Sequence, residues 1–217
     1  MLEAAPPRSP ARLGGLLAEA ERSERFRELV ARLDERASVS LSEATAGARA
    51  YAWSAVVDVA RRSLLLVAPS EERARRWRAE LAGWLGEERV LAFPERETMP
   101  YEIGAPSAGA IHQRLLTLWR IRTASEPLAV VASLRALMQH TIAPDDLARR
   151  GRSLKVGERV IWNETAAWLF DLGYEPVTEV SGPGTFSRRG GILDVYPASA
   201  SMPVRVELFG DEIETLR

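Results

Sequence analysis

Uninterrupted apolar runs followed by helical spacing constrain the fold of this chain more than any other feature. The run "SLLLVAPS" spans Ser63–Ser70, and "LAVVAS" spans Leu128–Ser133. Such runs are typical of strands that are buried on both faces of a parallel sheet. After the first run, Trp77, Leu81 and Trp84 recur at the spacing of one helix face. Strands that alternate with helices predict an α/β domain with a mostly parallel sheet.

The pattern of the chain changes at about His140. Beyond it, alternating apolar and polar residues mark three strand-like runs, "GILDVYP", "VRVELF" and "EIETL". Gly210 and Asp211 separate the last two runs, and such a pair is typical of a tight hairpin turn. We therefore expect two domains: an α/β domain over residues 1–138 and a small α+β domain with an antiparallel sheet over residues 139–217.

Composition excludes several classes of function. The 217 residues include no cysteine, which rules out disulfides, thiolate catalysis and cysteine-bound zinc. The two histidines, His112 and His140, fit no metal-ligand spacing. The net charge of -1 argues against a strongly basic nucleic-acid binder, and no apolar run approaches the roughly 20 residues of a membrane-spanning helix. We expect a cytoplasmic protein without a bound metal or a membrane contact.

The loop where an α/β domain of this kind binds a nucleotide lacks the required residues. It follows "ASVSL", which has the composition of a first strand. If Gly47 is the second glycine of the phosphate-loop pattern G-x-x-x-x-G-K-[ST], Ser42 replaces the first glycine. Ala48 then replaces the lysine, and Arg49 replaces the hydroxyl residue that binds magnesium, although phosphoryl transfer needs both. The sequence predicts a degenerate P-loop NTPase-like domain with no cofactor and no catalytic residues.

The C-terminal stretch carries a motif with many fixed spacings, "GTFSRRGGILDVYPASASMPVRVELFGDEIETLR". It resembles the second-domain signature shared by the excision-repair protein UvrB and the N-terminal module of the bacterial transcription–repair coupling factor, Mfd. The matching residues are Gly184, Thr185, Phe186, Arg189, Gly190, Asp194, Tyr196, Pro197, Arg205, Glu207, Phe209, Asp211 and Glu212. Upstream, "FPERETMPYEIGAPSAGAIHQRLLTLWRI" is similar to a segment of the coupling factor, so the resemblance extends back to Leu64.

Two departures favour the coupling factor over UvrB. UvrB has an intact phosphate loop and a long aromatic β-hairpin that inserts between DNA strands. This chain lacks the loop residues, and the stretch between Tyr101 and His112 is too short for that hairpin. The resemblance is thus to UvrB homology domains one and two of the coupling factor, whose full-length form is an ATP-dependent DNA translocase. We expect the chain to be a fragment that ends after the second domain.

The resemblance implies a function in transcription-coupled nucleotide excision repair. In the family, the second domain docks UvrA, the damage-recognition ATPase, whereas domains absent here bind RNA polymerase and double-stranded DNA. Carried onto this sequence, the resemblance favours Arg189 first as a docking residue, followed by Arg188 and Phe186. Glu207 is the acidic counterpart, and Gly190 permits a bulge or a close approach of the partner backbone. On this interpretation, the two arginines lie where a strand begins.

Other interpretations of the same residues stay open. The chain would be a UvrB-like DNA-dependent ATPase or DNA-binding repair subunit if its altered loop still held a nucleotide. The helix "EERARRWRAELAGWL" would bind DNA directly, although three glutamates offset its arginines. Alternatively, Arg188 and Arg189 would contact only water or Asp194, and Phe186 would be a simple core residue.

Overall fold

The computed structural model describes residues 13–42, 44–96, 108–197, 200 and 202–217. The chain divides into two compact units. The first comprises Met1–Glu95 and Thr123–Met138, and the second comprises Arg96–Arg122 and Gln139–Arg217. The second unit thus includes a segment from the middle of the chain, and the extents expected for the two domains stay a prediction. The upstream segment of the family resemblance falls partly on residues 97–107, outside the described part of the chain.

The first unit contains a three-stranded parallel sheet, as the alternation of strands and helices predicts. Its strands are β1 (Leu64–Ala68), β2 (Val90–Phe93) and β3 (Ala129–Ser133), in the order β1-β3-β2. All five residues of the central strand β3 are buried, as expected. In the edge strand β1, Leu65 and Val67 are 53% and 44% exposed, so the prediction that this run is buried on both faces is wrong.

Along the chain, helices precede the strands and separate β1, β2 and β3. In chain order they are a 3₁₀ helix (Leu13–Arg22), α1 (Glu24–Asp34), α2 (Ala46–Asp58), α3 (Glu71–Leu85), a 3₁₀ turn (Glu87–Arg89), α4 (Ala108–Thr123), α5 (Leu134–Met138), α6 (Pro144–Arg150) and α7 (Trp162–Asp171). Serine side chains cap α1 and α3: Ser23 and Ser70 accept hydrogen bonds from the first-turn N–H groups of Phe26 and Arg73. Such a cap stabilises a helix by about 1 kcal/mol.

The core of the first unit lies between the N-terminal helices and one face of the sheet. Leu17, Val57 and Leu81 are fully buried there, and they belong to one apolar cluster with Leu66 of β1 and Val131 of β3. Burying each of the larger side chains contributes about 1.5–3 kcal/mol, so this cluster accounts for the close packing of helices on the sheet.

The stretch "ASVSL" is not a strand, and this prediction is therefore wrong. Residues 37–42 adopt no regular element. The three strands that form the parallel sheet all lie later in the chain. Strand composition is a weak signal because a strand also needs a neighbouring backbone to satisfy its N–H and C=O groups. As a consequence, α2 does not follow a strand.

The second unit contains a five-stranded sheet. Its strands are β4 (Glu175–Pro176), β5 (Thr185–Arg189), β6 (Ile192–Tyr196), β7 (Val204–Phe209) and β8 (Glu212–Leu216), paired in that order. Strands β5 to β8 are antiparallel, as expected, whereas the short β4 runs parallel to β5. The sheet is therefore mixed. One face packs on α7 through an apolar cluster that includes Leu169, Leu193 and Val206.

Two-residue turns connect β5 to β6 and β7 to β8. Gly190 and Gly210 begin these turns with φ angles of 59° and 64°. A positive φ at the first turn residue favours glycine, and it gives the turn a twist that matches the flanking strands. Both turns therefore have the geometry of tight β-hairpins. The hairpin predicted at Gly210 and Asp211 is confirmed. In contrast to the expectation, Arg188 and Arg189 end β5 and do not begin the strand that follows.

Candidate functional site

The loop expected to be a degenerate nucleotide site lies at the start of α2. Ser42 is exposed and lies outside any helix or strand, whereas Gly47, Ala48 and Arg49 belong to the first turn of α2. Oγ1 of Thr45 caps the helix by accepting a hydrogen bond from the backbone N–H of Ala48 over 3.3 Å. The cap occupies part of the helix terminus that a phosphate would need. The loss of nucleotide binding nevertheless stays a prediction.

The five-stranded sheet places the expected docking residues on two faces. Strand pairing sets Arg188 opposite Leu193 and Arg189 opposite Ile192. Because side chains alternate between faces along a strand, Arg188 lies on the face that carries the core residue Leu193. Arg189 lies on the opposite face, which we call the outer face. The outer face also carries Asp194, Arg205, Glu207, Phe209 and Glu212.

The guanidinium group of Arg188 covers an aromatic ring. Its Cζ atom lies 4.6 Å from the ring centroid of Trp162, the first residue of α7. In this position the cation is attracted to the negative face of the ring. Arg188 remains exposed, but one side of its guanidinium group contacts the second unit itself.

Arg189 is exposed, and among the described residues it forms a hydrogen bond to a backbone carbonyl only. Its Nη2 donates to the carbonyl oxygen of Thr178 over 2.8 Å, and Oγ of Ser187 donates to the same oxygen over 3.0 Å. The ion pairs formed among the described residues do not include Arg189, whereas they include Arg205 on β7 and Arg217 just after β8. Most of its N–H donors are therefore available to a partner.

The two carboxylates nearest the centre of the outer face are bonded internally. Asp194 accepts two hydrogen bonds from Arg205, from Nε over 2.6 Å and from Nη2 over 2.8 Å. Glu207 accepts one from Oγ1 of Thr215 over 2.8 Å and pairs with Arg217. The hydrogen bond from Arg205 lowers the pKa of Asp194, and the bond from Thr215 lowers the pKa of Glu207. Both groups therefore stay ionised at neutral pH.

The remaining two predicted docking residues support the sheet from within. Phe186 is 8% exposed and packs in the apolar cluster with Leu193. A substitution of Phe186 would therefore affect docking indirectly, by shifting strand β5. Gly190 turns the chain, and nothing lies within 4 Å of the place where a Cβ atom would stand. At Gly191, a Cβ atom would lie 2.8 Å from the carbonyl oxygen of Leu208, so this glycine permits close approach of β7 within the sheet.

Sequence analysis matched Phe209 of the outer face to the family motif but did not include it among the docking residues. Phe209 is 81% exposed at the end of β7. Arg205 and Glu207 precede it at intervals of two residues, so the alternation of "VRVELF" places Phe209 among charged side chains and away from the core. That alternation was visible in the sequence and was the available signal.

A cavity of about 310 Å³ lies elsewhere in the second unit. Its lining is mostly apolar and includes Trp119, Trp168 and Tyr174, with Arg150 and Arg152 also contributing. No carboxylate or imidazole group occurs among its described lining residues, and Tyr174 contributes a titratable phenol. Thr165, which is 2% exposed, also lines the cavity, and its hydroxyl forms no hydrogen bond with another described residue.

The described residues show no metal site and no membrane-spanning helix. They contain no group of three or more histidine, aspartate or glutamate side chains arranged to hold a metal ion. Within the same residues, no helix combines the length and apolar character needed to cross a membrane. Of the predicted docking residues, the outer face carries Arg189 and Glu207.

Comparison with known proteins identifies the C-terminal part of the chain. The sequence pattern of the UvrB interaction domain matches residues 153–217, which include strands β4 to β8 and helix α7. The match covers Arg188, Arg189 and the whole outer face. The motif of the second unit thus lies within the match to the UvrB interaction domain.

Longer similarity relates the chain to proteins named transcription-repair-coupling factor. It is 34% identical over 212 residues to the protein from Mycobacterium bovis, covering 94% of this chain and 17% of the relative. It is 30% identical over 199 residues to the Bacillus subtilis protein, covering 90% of this chain and 17% of the relative. The Escherichia coli protein is 28% identical over 177 residues, covering 82% of this chain and 15% of the relative.

The chain spans about one sixth of the length of these relatives. The similarity to the Mycobacterium bovis and Bacillus subtilis proteins covers most of both units. The match to the UvrB interaction domain covers the part of the second unit that carries the outer face. Taken together, the fold, the motif and these similarities show that the chain belongs to the transcription-repair-coupling factor family and contains a UvrB interaction domain at residues 153–217.

Proposed function

We propose that this chain is a non-catalytic interaction module of a transcription-coupled nucleotide excision repair factor, and that it docks UvrA through the outer face of the five-stranded sheet. The observation that carries the proposal is Arg189, an exposed cation that forms no ion pair among the described residues. It lies within the UvrB interaction domain and on the position that matches the family signature.

The arrangement of charge supports docking onto an acidic protein surface. Asp194 and Glu207 pair with Arg205 and Arg217, and the charge of Arg189 also contributes to the lowered pKa of Asp194. A guanidinium group offers several N–H donors in one plane, which suits two-point binding to a carboxylate better than an ammonium group would. Arg188 adds a second cation at the end of β5, on the opposite face.

The shape of the sheet supports the same proposal. The Gly190–Gly191 turn holds the end of β5 in a tight hairpin, so Arg189 projects from a rigid position. Phe186 anchors β5 in the core below it. A preorganised donor loses less conformational entropy when a partner binds than a mobile one does.

We further propose that the whole protein also binds RNA polymerase and double-stranded DNA through regions outside these 217 residues, and that it acts in the cytoplasm. These proposals rest on the family resemblance. The relatives are about six times as long as the chain, which leaves ample sequence for such regions.

Binding of the purified chain to purified UvrA tests the proposal. We expect saturable binding that weakens as salt is raised, and a loss of affinity of at least about tenfold in Arg189→Glu, since the change reverses a charge in the interface. Arg149→Glu is the matched control because Arg149 is an exposed arginine on α6 in the same unit. Equal affinities for wild type and Arg189→Glu would exclude this site, and absence of binding by the wild type would exclude the function.

A further inference from the structure

We propose that the cavity of about 310 Å³ in the second unit binds a small aromatic carboxylate that carries a hydroxyl group at its far end. In this assignment the ring lies among the apolar lining residues, the carboxylate beside Arg150 and the hydroxyl beside Thr165. The inference goes beyond the proposed docking function and does not depend on it. Leu193 and Val195, which line the cavity, lie on the core face of β6, whereas Arg189 lies on the outer face.

Four elements of the second unit enclose the cavity. Leu115 and Trp119 belong to α4, Leu147 to α6, Trp168 to α7 and Leu193 to β6. Ligand cavities in proteins range from about 300 to 1,000 Å³, so this cavity is at the small end of that range. It has room for one small molecule and is too small for a helix or a strand of a partner protein.

The wall beside the arginines is aromatic, and one glycine makes this possible. A Cβ atom on Gly151 would lie 2.3 Å from Cζ3 of Trp119, so the indole ring packs directly against the backbone that joins Arg150 to Arg152. The φ angle of Gly151 is -74°, which any residue adopts, so the close approach of the ring is the reason for glycine here. Aromatic rings pack favourably on one another, and this wall therefore suits a flat aromatic ligand.

The opening of the cavity is positively charged. Arg150 lines the cavity and is exposed at the end of α6, and no ion pair with another described residue includes it. Arg152 also lines the cavity, and its Nη2 donates to Oε1 of Glu158 over 3.1 Å, so its charge is partly compensated. No carboxylate occurs among the described lining residues. A ligand carboxylate would therefore supply the partner of Arg150, because a guanidinium group binds a carboxylate through two parallel hydrogen bonds.

Thr165 supplies a polar contact in the interior wall. The residue is 2% exposed, and its hydroxyl forms no hydrogen bond with another described residue. An unbonded buried hydroxyl destabilises a protein, and a ligand oxygen within reach would remove that penalty. Threonine in a helix populates two χ1 rotamers, so the hydroxyl is able to turn toward the cavity. Because Arg150 lies at the opening and Thr165 in the interior, the ligand needs polar groups at opposite ends of its ring.

Isothermal titration of the 217-residue chain with 6-hydroxy-2-naphthoate tests the inference. We expect one ligand per chain, with a Kd on the order of 0.1–1 mM, which is usual for a ligand of this size. The uncharged 6-hydroxy-2-naphthamide should bind about three- to tenfold more weakly, since it cannot form a charged pair with Arg150. The related 2-naphthoate, which lacks the hydroxyl, should bind more weakly by a similar factor.

Two variants assign the two polar contacts. Arg150→Gln should weaken binding of 6-hydroxy-2-naphthoate about three- to tenfold and should leave binding of the amide unchanged. Thr165→Val should reduce the affinity for 6-hydroxy-2-naphthoate to that for 2-naphthoate. Since removal of the unbonded hydroxyl should make Thr165→Val more stable than the wild type, unfolding would not explain its weaker binding.

Arg149→Gln provides the matched control. Arg149 is an exposed residue of α6, one position before Arg150, where it pairs with Asp146 and is not among the described lining residues. This variant should bind 6-hydroxy-2-naphthoate as the wild type does. Arg189→Glu should also bind this ligand normally, so a failure of UvrA docking and a failure of the cavity to bind the ligand are distinguishable.

Three outcomes contradict the inference. The absence of saturable binding by any of the three probes would exclude the site. Equal affinities for the acid and the amide, with no effect of Arg150→Gln, would exclude the pairing of Arg150 with a carboxylate. If Thr165→Val weakens binding of 2-naphthoate as much as binding of 6-hydroxy-2-naphthoate, valine has changed the shape of the cavity, and the hydroxyl contact is wrong.

Discussion

Arg188 and Arg189 are consecutive residues whose guanidinium groups lie on opposite faces of one sheet. Arg188 covers the ring of Trp162 at 4.6 Å, whereas Arg189 donates to the carbonyl oxygen of Thr178 over 2.8 Å. The pair therefore does not act as one cluster of positive charge. Arg188 contacts the helix that covers the core face, and Arg189 is exposed on the outer face.

Substitution of each arginine should separate stability from binding. Arg188→Ala should lower the free energy of unfolding by about 0.5–1 kcal/mol through loss of the contact with Trp162. Arg189→Ala should change it by less than about 0.5 kcal/mol, as is usual for an exposed side chain. Urea denaturation followed by tryptophan fluorescence measures both values. A larger loss of stability in Arg189→Ala than in Arg188→Ala would contradict this assignment.

The two glycines of the β5–β6 turn should respond differently to substitution. Gly191→Ala should destabilise the protein by about 1–3 kcal/mol, because its Cβ atom would lie 2.8 Å from the carbonyl oxygen of Leu208. Gly190→Asn should cost about 1 kcal/mol or less, since its position is open and asparagine tolerates positive φ. Thermal unfolding of the two variants provides the comparison. Equal losses of stability would show that the close approach of Gly191 to β7 does not cause the destabilisation.

Thr165→Val should stabilise the protein. The hydroxyl of Thr165 is buried without a partner, and valine has nearly the same shape without the polar group. Removing the desolvation penalty should raise the free energy of unfolding by about 1 kcal/mol, with an upper limit near 3 kcal/mol. Thr165→Ser keeps the hydroxyl and is the control, so a stabilisation of equal size in the serine variant would argue against this cause.

The ion pair on the outer face should make stability depend on pH in acid. The hydrogen bond from Arg205 lowers the pKa of Asp194 in the folded protein. A carboxyl group with a lowered folded pKa stabilises the fold above its unfolded pKa of about 3.9, and that contribution disappears as the pH falls through the folded value. Asp194→Asn should be less stable than the wild type at neutral pH and should lose less stability on acidification.

Urea denaturation at a series of pH values measures this effect. Arg205→Ala removes the other partner and should flatten the same part of the curve. Unchanged acid dependence in both variants would show that the pair does not contribute to stability.

The chain should not bind Mg-ATP. Ala48 and Arg49 replace the lysine and hydroxyl of the phosphate loop, and Thr45 already caps the helix there. Isothermal titration with Mg-ATP should show no saturable heat, and Arg49→Ala should behave identically. Saturable binding that is lost in Arg49→Ala would favour the UvrB-like ATPase interpretation.

The amino-acid sequence determined the elements whose signals are local. The apolar run of β3 predicted a strand buried on both faces, and Gly210 with Asp211 predicted the last hairpin, because turn geometry depends on adjacent residues. The spacing of the C-terminal motif identified the family, and the comparisons confirmed it. These features need no knowledge of distant contacts.

Only the tertiary structure decided the features that depend on distant partners. The alternation of β5 separates Arg188 from Arg189, but the position of Trp162 determines which one faces the core. "ASVSL" has strand composition but no neighbouring strand, and β1 lies at a sheet edge, so Leu65 stays exposed. Local sequence sets the period of a strand, whereas its pairing and the burial of each face are set by residues far away in the chain.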